Sequence, residues 1–157
     1  MYCLINFKKK RIWGFLGNSG FCVHRQKNPS IEYFNGDKKW CCWGNLHRRN
    51  HLPAIELVNG QREWWKNGKR YREKDLPSVE YANGTKEWYC QGNFLSRSIM
   101  DVSSKLGRLN DLPAVEYPNG DKEWWHNGKR HRDNGPAVIY GNKQYWFKHG
   151  EFIKCSS

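Results

Sequence analysis

The chain is poor in aliphatic side chains and lacks every short motif that announces a reaction. Val, Ile, Leu and Phe together number 30, about 19% of 157 residues, a share that in a highly charged chain borders on disorder. No apolar run approaches the ~18 residues of a spanning helix, so no transmembrane segment is expected. The opening Met1-Tyr2-Cys3-Leu4-Ile5-Asn6-Phe7 precedes the basic run Lys8-Lys9-Lys10-Arg11 instead of following it, the reverse of a secretory signal peptide. That run reads either as a nuclear-import address or as a solvated charged arm. There is no Cys-x-x-Cys and no His pair at zinc spacing. A Gly-rich phosphate loop and a nucleophile elbow are missing too. Cysteines 3, 22, 41, 42, 90 and 155 therefore read as free thiols in a reducing, intracellular setting. The vicinal Cys41-Cys42 pair would point to opposite faces of a strand, a poor geometry for a disulfide.

Nine Trp and eight Tyr are what the sequence has instead. Each ring can bury roughly 150–250 Å², so an aromatic core can offset the folding entropy that the aliphatics cannot. Lys and Arg outnumber Asp and Glu by 27 to 15, for a net charge of +12, which favours acidic partners such as nucleic acid or anionic lipid.

A repeat of about 24 residues organises these features. Segments beginning at Pro29, Pro53, Pro77, Pro113 and Pro136 each run through a short apolar stretch, an Asn or Gly turn, and a tryptophan. Tryptophans 40, 64 and 88 are 24 apart, Trp124 follows after 36 and Trp146 after 22, and glycines 44, 68, 92, 128 and 150 keep an offset of four from them. Trp13 and Gly17 share the offset, so residues 1–25 read as a degenerate first copy. The extra residues before Trp124 place an insertion at about 96–109.

Asn-Gly at 35–36, 59–60, 83–84 and 119–120 is a strong hairpin signal. A two-residue type I′ turn would set Val115 against Trp124 and Glu116 against Glu123. A three-residue turn with a Gly bulge would set Glu116 against Lys122, and the register stays open between them. Two strands per copy, Ala-Val-Glu-Tyr and Lys-Glu-Trp-Trp, suffice, leaving Asn-Gly-Lys-Arg-His-Arg and Leu-Pro as the connection. The fold expected is all-β: tandem antiparallel hairpins in an elongated twisted sheet, one repeat domain over 1–157. Ile99, Val102 and Leu106, spaced three and four apart, fit a short amphipathic helix near 98–106 ended by Gly107. It would serve either as a cap on the sheet or as a dimer contact.

The run of strand, Asn-Gly, Lys-Glu-Trp-Trp and Asn-Gly-Lys-Arg-His resembles a divergent MORN repeat over about 26–153, of the form found in repeat proteins of large DNA viruses of amoebae. Arg48, Arg72 and Arg132 stand where that family has glycine after the histidine. The resemblance implies an elongated sheet used for scaffolding, dimerisation and, in some members, membrane contact, and a place in the virion.

Two surfaces stand out as candidates. Arg48, Arg49, Lys69, Arg70, Arg72, Lys129, Arg130 and Arg132 recur at one place in the unit, roughly 10 Å apart along a sheet edge at two strands per copy. Such a stripe could follow a phosphate backbone. Equally, Glu32, Glu56, Glu80, Glu116, Glu63, Glu87 and Glu123 could neutralise it internally as a cross-strand ladder. Trp40, Trp64, Trp88, Trp124 and Trp146 read as stacked core. Trp43, Trp65 and Trp125 fall on the opposite face and, if exposed, would mark a partner surface together with Ile99, Val102 and Leu106. His47 and His131 recur with the unit, which suits packing better than a unique acid or base. The reading is a non-catalytic, self-associating structural protein, a homodimer by default. Its alternatives are sequence-nonspecific nucleic-acid binding and peripheral attachment to anionic membranes. No cofactor, metal or small-molecule substrate is expected.

Overall fold

The computed structural model describes residues 1–90 and 104–157, and among these every regular element is a strand. The described chain divides into two compact units, Met1–Glu73 and Lys74–Ser157. Each is an antiparallel meander of tandem hairpins, as the repeat predicts.

In the first unit β1 (Tyr2–Asn6) pairs with β2 (Lys10–Gly17), which carries β3 (Gly20–Val23) at its far end. Next in the sheet come Ile31–Tyr33, Lys38–Lys39, Ile55–Glu56 and Arg62–Glu63, each hydrogen-bonded to the one before. In the second unit Val79–Glu80, Lys86–Glu87, Val115–Glu116, Lys122–Glu123, Val138–Tyr140, Lys143–Lys148 and Glu151–Ser156 follow in chain order.

The register is the second of the two alternatives, because Glu116 faces Lys122 and Val115 faces Glu123. The loop Pro118-Asn119-Gly120 is closed by Tyr117 N–H on Asp121 O at 3.0 Å, and only its glycine has positive φ (92°). This is a three-residue turn with a glycine bulge. Asn119 contributes not by its backbone but by its side chain, whose Oδ1 accepts the Asp121 N–H at 3.2 Å, as in an Asx turn. Asn35, Asn59 and Asn83 do the same.

The two-residue type I′ turns lie instead in the segment read as a connection, which folds as a second hairpin in each copy. Trp65–Lys66 pairs with Lys69–Arg70, and Trp125–His126 with Lys129–Arg130. Asn67 and Gly68 have φ of 51° and 78°, Asn127 and Gly128 53° and 78°, the pair of left-handed residues a type I′ turn requires. The strand Lys-Glu-Trp-Trp is thus bent at its first tryptophan. Trp124 N–H donates to Ala137 O in the main sheet at 2.8 Å, while its own carbonyl accepts His131 N–H from the second hairpin at 3.1 Å. Trp13 makes the same pair of bonds with Ser30 and His24, so residues 1–25 are a copy in geometry as well as in spacing.

The segment expected to form a helix is strand where it is described. Lys105–Leu106 pairs with Tyr89–Cys90, and Leu106 occupies the second-hairpin place of Leu46, Arg70 and Arg130. In sequence the extra residues therefore fall between Cys90 and Lys105, and the copy has resumed before residue 109. Ile99 and Val102 lie outside the described residues. Gly107 stands at the repeat's histidine place, where a Cβ would come within 3.1 Å of the Trp125 carbonyl oxygen.

Alternation then sorts the side chains. One face of the first-unit sheet carries Ile12, Ile31, Lys39, Ile55 and Glu63 in register, and the other carries Arg11, Glu32, Lys38, Glu56 and Arg62. In the second unit the corresponding rows are Val79, Glu87, Val115, Glu123 and Val138, and Glu80, Lys86, Glu116 and Lys122. The second row of each unit alternates in sign, which is the favourable cross-strand arrangement. The core is thin. It consists of Trp40, Trp64, Trp88 and Trp124, of Ile12, Cys41, Ile55, Val79, Val115 and Val138, and of fully buried Ala54, Ala114 and Ala137 after the repeat prolines. Trp146, expected in this set, is only half-buried within the continuous strand Lys143–Lys148.

Candidate interaction surfaces

The arginine of each His-Arg pair, or its equivalent, lies over the ring of the repeat's fixed tryptophan. Arg25 stands over Trp13, Arg48 over Trp40, Arg72 over Trp64, Arg108 over Trp88 and Arg132 over Trp124, at 3.5–4.4 Å from the ring centroid. Such partly desolvated cation–π contacts are each worth ~0.5–2 kcal/mol. The guanidinium groups are further held by oxygen. Arg48 donates to the Pro53 carbonyl at 3.0 Å and to Glu56 at 2.6 Å, and Arg108 to the Pro113 carbonyl at 3.3 Å and Glu116 at 3.0 Å.

A third turn, made before the Pro53, Pro77 and Pro113 copies, supplies more partners. Asn50-His51, Lys74-Asp75 and Asn110-Asp111 all have positive φ. The carbonyls of His51, Asp75 and Asp111 accept the indole N–H of Trp64, Trp88 and Trp124 at 2.8–2.9 Å. The Asp75 and Asp111 carboxylates clasp Arg108 and Arg132 of the following copy in two-oxygen contacts of 2.7–3.1 Å. Hydrogen bonding from Arg132 holds the Asp111 carboxyl below its ordinary value.

The acidic partner on the opposite face is a buried glutamate. The Glu123 side chain is 3% exposed and accepts from Tyr117 Oη at 3.0 Å, Trp125 Nε1 at 2.8 Å, Arg130 Nε at 3.1 Å and Tyr140 Oη of the next copy. Burial pushes this carboxyl up, but the bonds from Tyr140, Arg130 and Tyr117 outweigh it and hold it below the usual carboxylate value. Burial and the same network push the Tyr117 and Tyr140 phenols up. Glu63 repeats the pattern with Trp65 at 3.0 Å, Arg70 at 3.2 Å and Gln61 at 3.0 Å.

The recurrent histidines have a backbone task. The Nδ1 atoms of His24, His47 and His131 accept the N–H of Trp43, Asn67 and His149 at 3.2–3.3 Å, each the first residue of the next second-hairpin turn. His131 also stacks on His149 at 4.3 Å, and His24 on Trp43 at 4.5 Å.

Of the eight basic residues picked out in the sequence, Arg48, Arg70, Arg130 and Arg132 hold carboxylates and Arg72 covers an indole. Arg49, Lys69 and Lys129 make no ion pair among the described residues. Of the tryptophans picked out as a partner surface, Trp43 is 58% exposed. Trp65 and Trp125 are half-buried and tied to Glu63 and Glu123, because they start the second hairpin instead of continuing the first. Leu106 is half-buried in its strand.

Equivalent clefts open between the third turn and the second hairpin. One, of about 310 Å³, has Arg49, His51, Trp65, Tyr71 and Glu73 in its wall. Its counterpart, of about 480 Å³, has Asp111, Trp125, His126, His131 and Asp133. Among the described residues no three His, Cys, Asp or Glu side chains converge as a metal site, and no helix is long and apolar enough to cross a membrane. All six cysteines are free. Cys41 is buried, which pushes its thiol up, and Cys42 is half-buried.

Sequence reading missed the third turn, and with it the clasps by Asp75 and Asp111. The available signal was an Asp three residues after the repeat arginine. It also missed a clasp at the first hairpins, where Asp37 and Asp121 accept the N–H of Val58 and Gly141 in the next copy at 2.8 and 2.7 Å. Thr85 replaces Asp where the following copy presents Pro118, which has no N–H to offer. Comparison with family models, with curated proteins and with solved structures finds no match for this chain.

Proposed function

We propose that the chain is a non-catalytic structural and interaction protein of MORN-like β-repeats that self-associates as a homodimer and, following the family resemblance, serves in a virion. The observation that supports this is repetition of role. Side chains at equivalent places have the same bonding task in several copies: His24, His47 and His131 accept a backbone N–H, Arg25, Arg48, Arg72, Arg108 and Arg132 cover an indole, and Glu63 and Glu123 gather indole and guanidinium donors. A reactive centre needs a constellation made once, with groups poised toward a substrate.

Strand edges supply the means of self-association. Among the described residues Glu151–Ser156 pairs on one side only, all six of its residues are exposed, and Phe152 and Ile153 are each 57% accessible. Among the same residues β1 likewise has one strand beside it, and it exposes Tyr2 and Leu4. Unpaired edges with apolar side chains are templates for a second chain. Light scattering across the micromolar range should give a mass near twice the 18.7 kDa of one chain, returned to the single-chain value by Phe152→Lys with Ile153→Lys. A single-chain mass at every concentration would count against the proposal. Nucleic-acid binding along the second-hairpin stripe draws less support, since most of its arginines already hold carboxylates or indoles.

A further inference from the structure

The excess positive charge is concentrated at one end of the sequence. Residues 1–49 contain ten Lys and Arg against Glu32 and Asp37 alone, which accounts for +8 of the chain's +12. Four of the ten, Lys8, Lys9, Lys10 and Arg11, form the tip of the β1–β2 hairpin and its exit, and among the described residues none of them makes an ion pair. The tip is closed by Phe7 N–H on Lys10 O at 2.9 Å and fastened to the next turn by Phe34 N–H on Lys9 O at 3.0 Å.

The repeat's own neutralising device is reversed at this place. Where the Pro53, Pro77 and Pro113 copies carry Glu63, Glu87 and Glu123, the Pro29 copy carries Lys39. Its ammonium lies 5.4 Å from the Tyr33 ring centroid, and that of Lys10 lies 5.7 Å from the same ring. Tyr117, at the equivalent position, donates to a buried carboxylate. Around Tyr33, then, cations stand where an anion would be expected. Beside it Phe34 is 59% and Phe7 49% exposed, and Arg11 lies 5.5 Å from the Phe34 ring centroid. A hollow of about 250 Å³ opens between Lys8, Lys9, Tyr33, Phe34 and Asn35.

We infer that this hairpin tip and the Tyr33–Phe34 turn bind single-stranded nucleic acid, with phosphates on Lys8, Lys9, Lys10 and Lys39 and a base on the face of Phe34. Unneutralised ammonium groups interleaved with exposed rings are the two halves of non-specific strand binding: the charges follow the backbone, and any base can stack on a ring. A duplex would use the lysines but leave the rings idle. Two exposed phenylalanines are a small apolar surface for holding a bilayer.

The test is fluorescence anisotropy with a labelled oligothymidylate, a duplex of equal length, and phosphatidylserine vesicles as separate arms. The oligothymidylate should bind with a log–log salt slope of about −2 to −3, from three or four phosphates at about −0.7 each. Lys8→Gln with Lys9→Gln should weaken it at least tenfold and reduce the slope by roughly 1.4. Phe34→Ala should cost about 5- to 100-fold with the slope unchanged. Lys129→Gln, which belongs neither to the hairpin tip nor to the Tyr33–Phe34 turn, should leave affinity within about twofold. All four positions are exposed, so unchanged circular dichroism would establish that each variant folds. Absence of saturable binding at about 50 mM salt would overturn the inference. So would indifference to Phe34→Ala with equal affinity for the duplex, or binding to vesicles but not to the oligothymidylate.

Discussion

Removing the Glu123 carboxylate should reveal how much of the fold rests on the buried acid of each copy. Glu123→Ala leaves Tyr117, Tyr140, Trp125 and Arg130 without their shared acceptor. Breaking a buried pair by removing one partner costs ~3–5 kcal/mol, but the Arg130 side chain is 37% exposed and regains water, so a cost below that range, ~2–3 kcal/mol, is expected. With a urea slope of ~2 kcal/mol/M the midpoint should fall by roughly 1–1.5 M at unchanged slope. Glu116→Ala, on the exposed charge ladder, should cost no more than ~0.5–1 kcal/mol, and provides the control. Acidification should act in the same direction. The Glu123 carboxyl is lowered by folding, so its contribution is complete above the unfolded value of about 4.5 and is lost as pH falls through the lower folded value. The wild type should therefore lose more stability in acid than Glu123→Gln does. A Glu123→Ala midpoint within the scatter of wild type would refute the reasoning.

Three further outcomes follow from the same geometry. Asn127→Gly should be nearly neutral and Asn127→Val should destabilise by ~1–2 kcal/mol, because that position needs a left-handed backbone; Asn83→Asp should be tolerated, since it keeps the side-chain acceptor for the Thr85 N–H, and thermal melts would distinguish the two kinds of turn. Arg132→Lys should lower stability by ~1–2 kcal/mol in urea titrations, since an ammonium cannot both cover Trp124 and grip Asp111 with two donors. His131→Phe should keep the ring stack on His149 but lose the acceptor for its N–H, costing ~1 kcal/mol and raising amide exchange at His149.

The hairpin array was legible in the sequence because its signals are local: Asn-Gly spacing, period-two alternation and a fixed tryptophan. The register became legible only as a choice, and cross-strand charge decides it, since Glu116 opposite Lys122 is better than two glutamates face to face. What stayed hidden was which Asn-Gly does what. Asn119 and Asn127 stand before identical glycines, yet one uses its amide oxygen and the other its backbone. That difference comes from the bend at Trp124, where the chain leaves one sheet for another hairpin. The arginines misled for a similar reason. Their charge is visible in sequence, but Asp75 and Asp111 reach them only through a turn with two left-handed residues that no glycine announces. The insertion was located by spacing, and its 3–4 periodicity suggested a helix up to Gly107, whereas Leu106 continues the repeat as strand. Lys39, standing for glutamate, was in plain view, and its meaning needed the partner ring of Tyr33.

The central claim is that the buried indoles of Trp64, Trp88 and Trp124 fasten their copies through an N–H held by the turn that precedes each copy's proline. Hydrogen exchange of the nine indole N–H groups, followed by NMR after transfer to D2O, tests it most directly. The Trp64, Trp88 and Trp124 indoles, bonded to His51, Asp75 and Asp111, should persist long after the exposed Trp43 signal has gone. If those three exchange as fast as Trp43, the account is wrong.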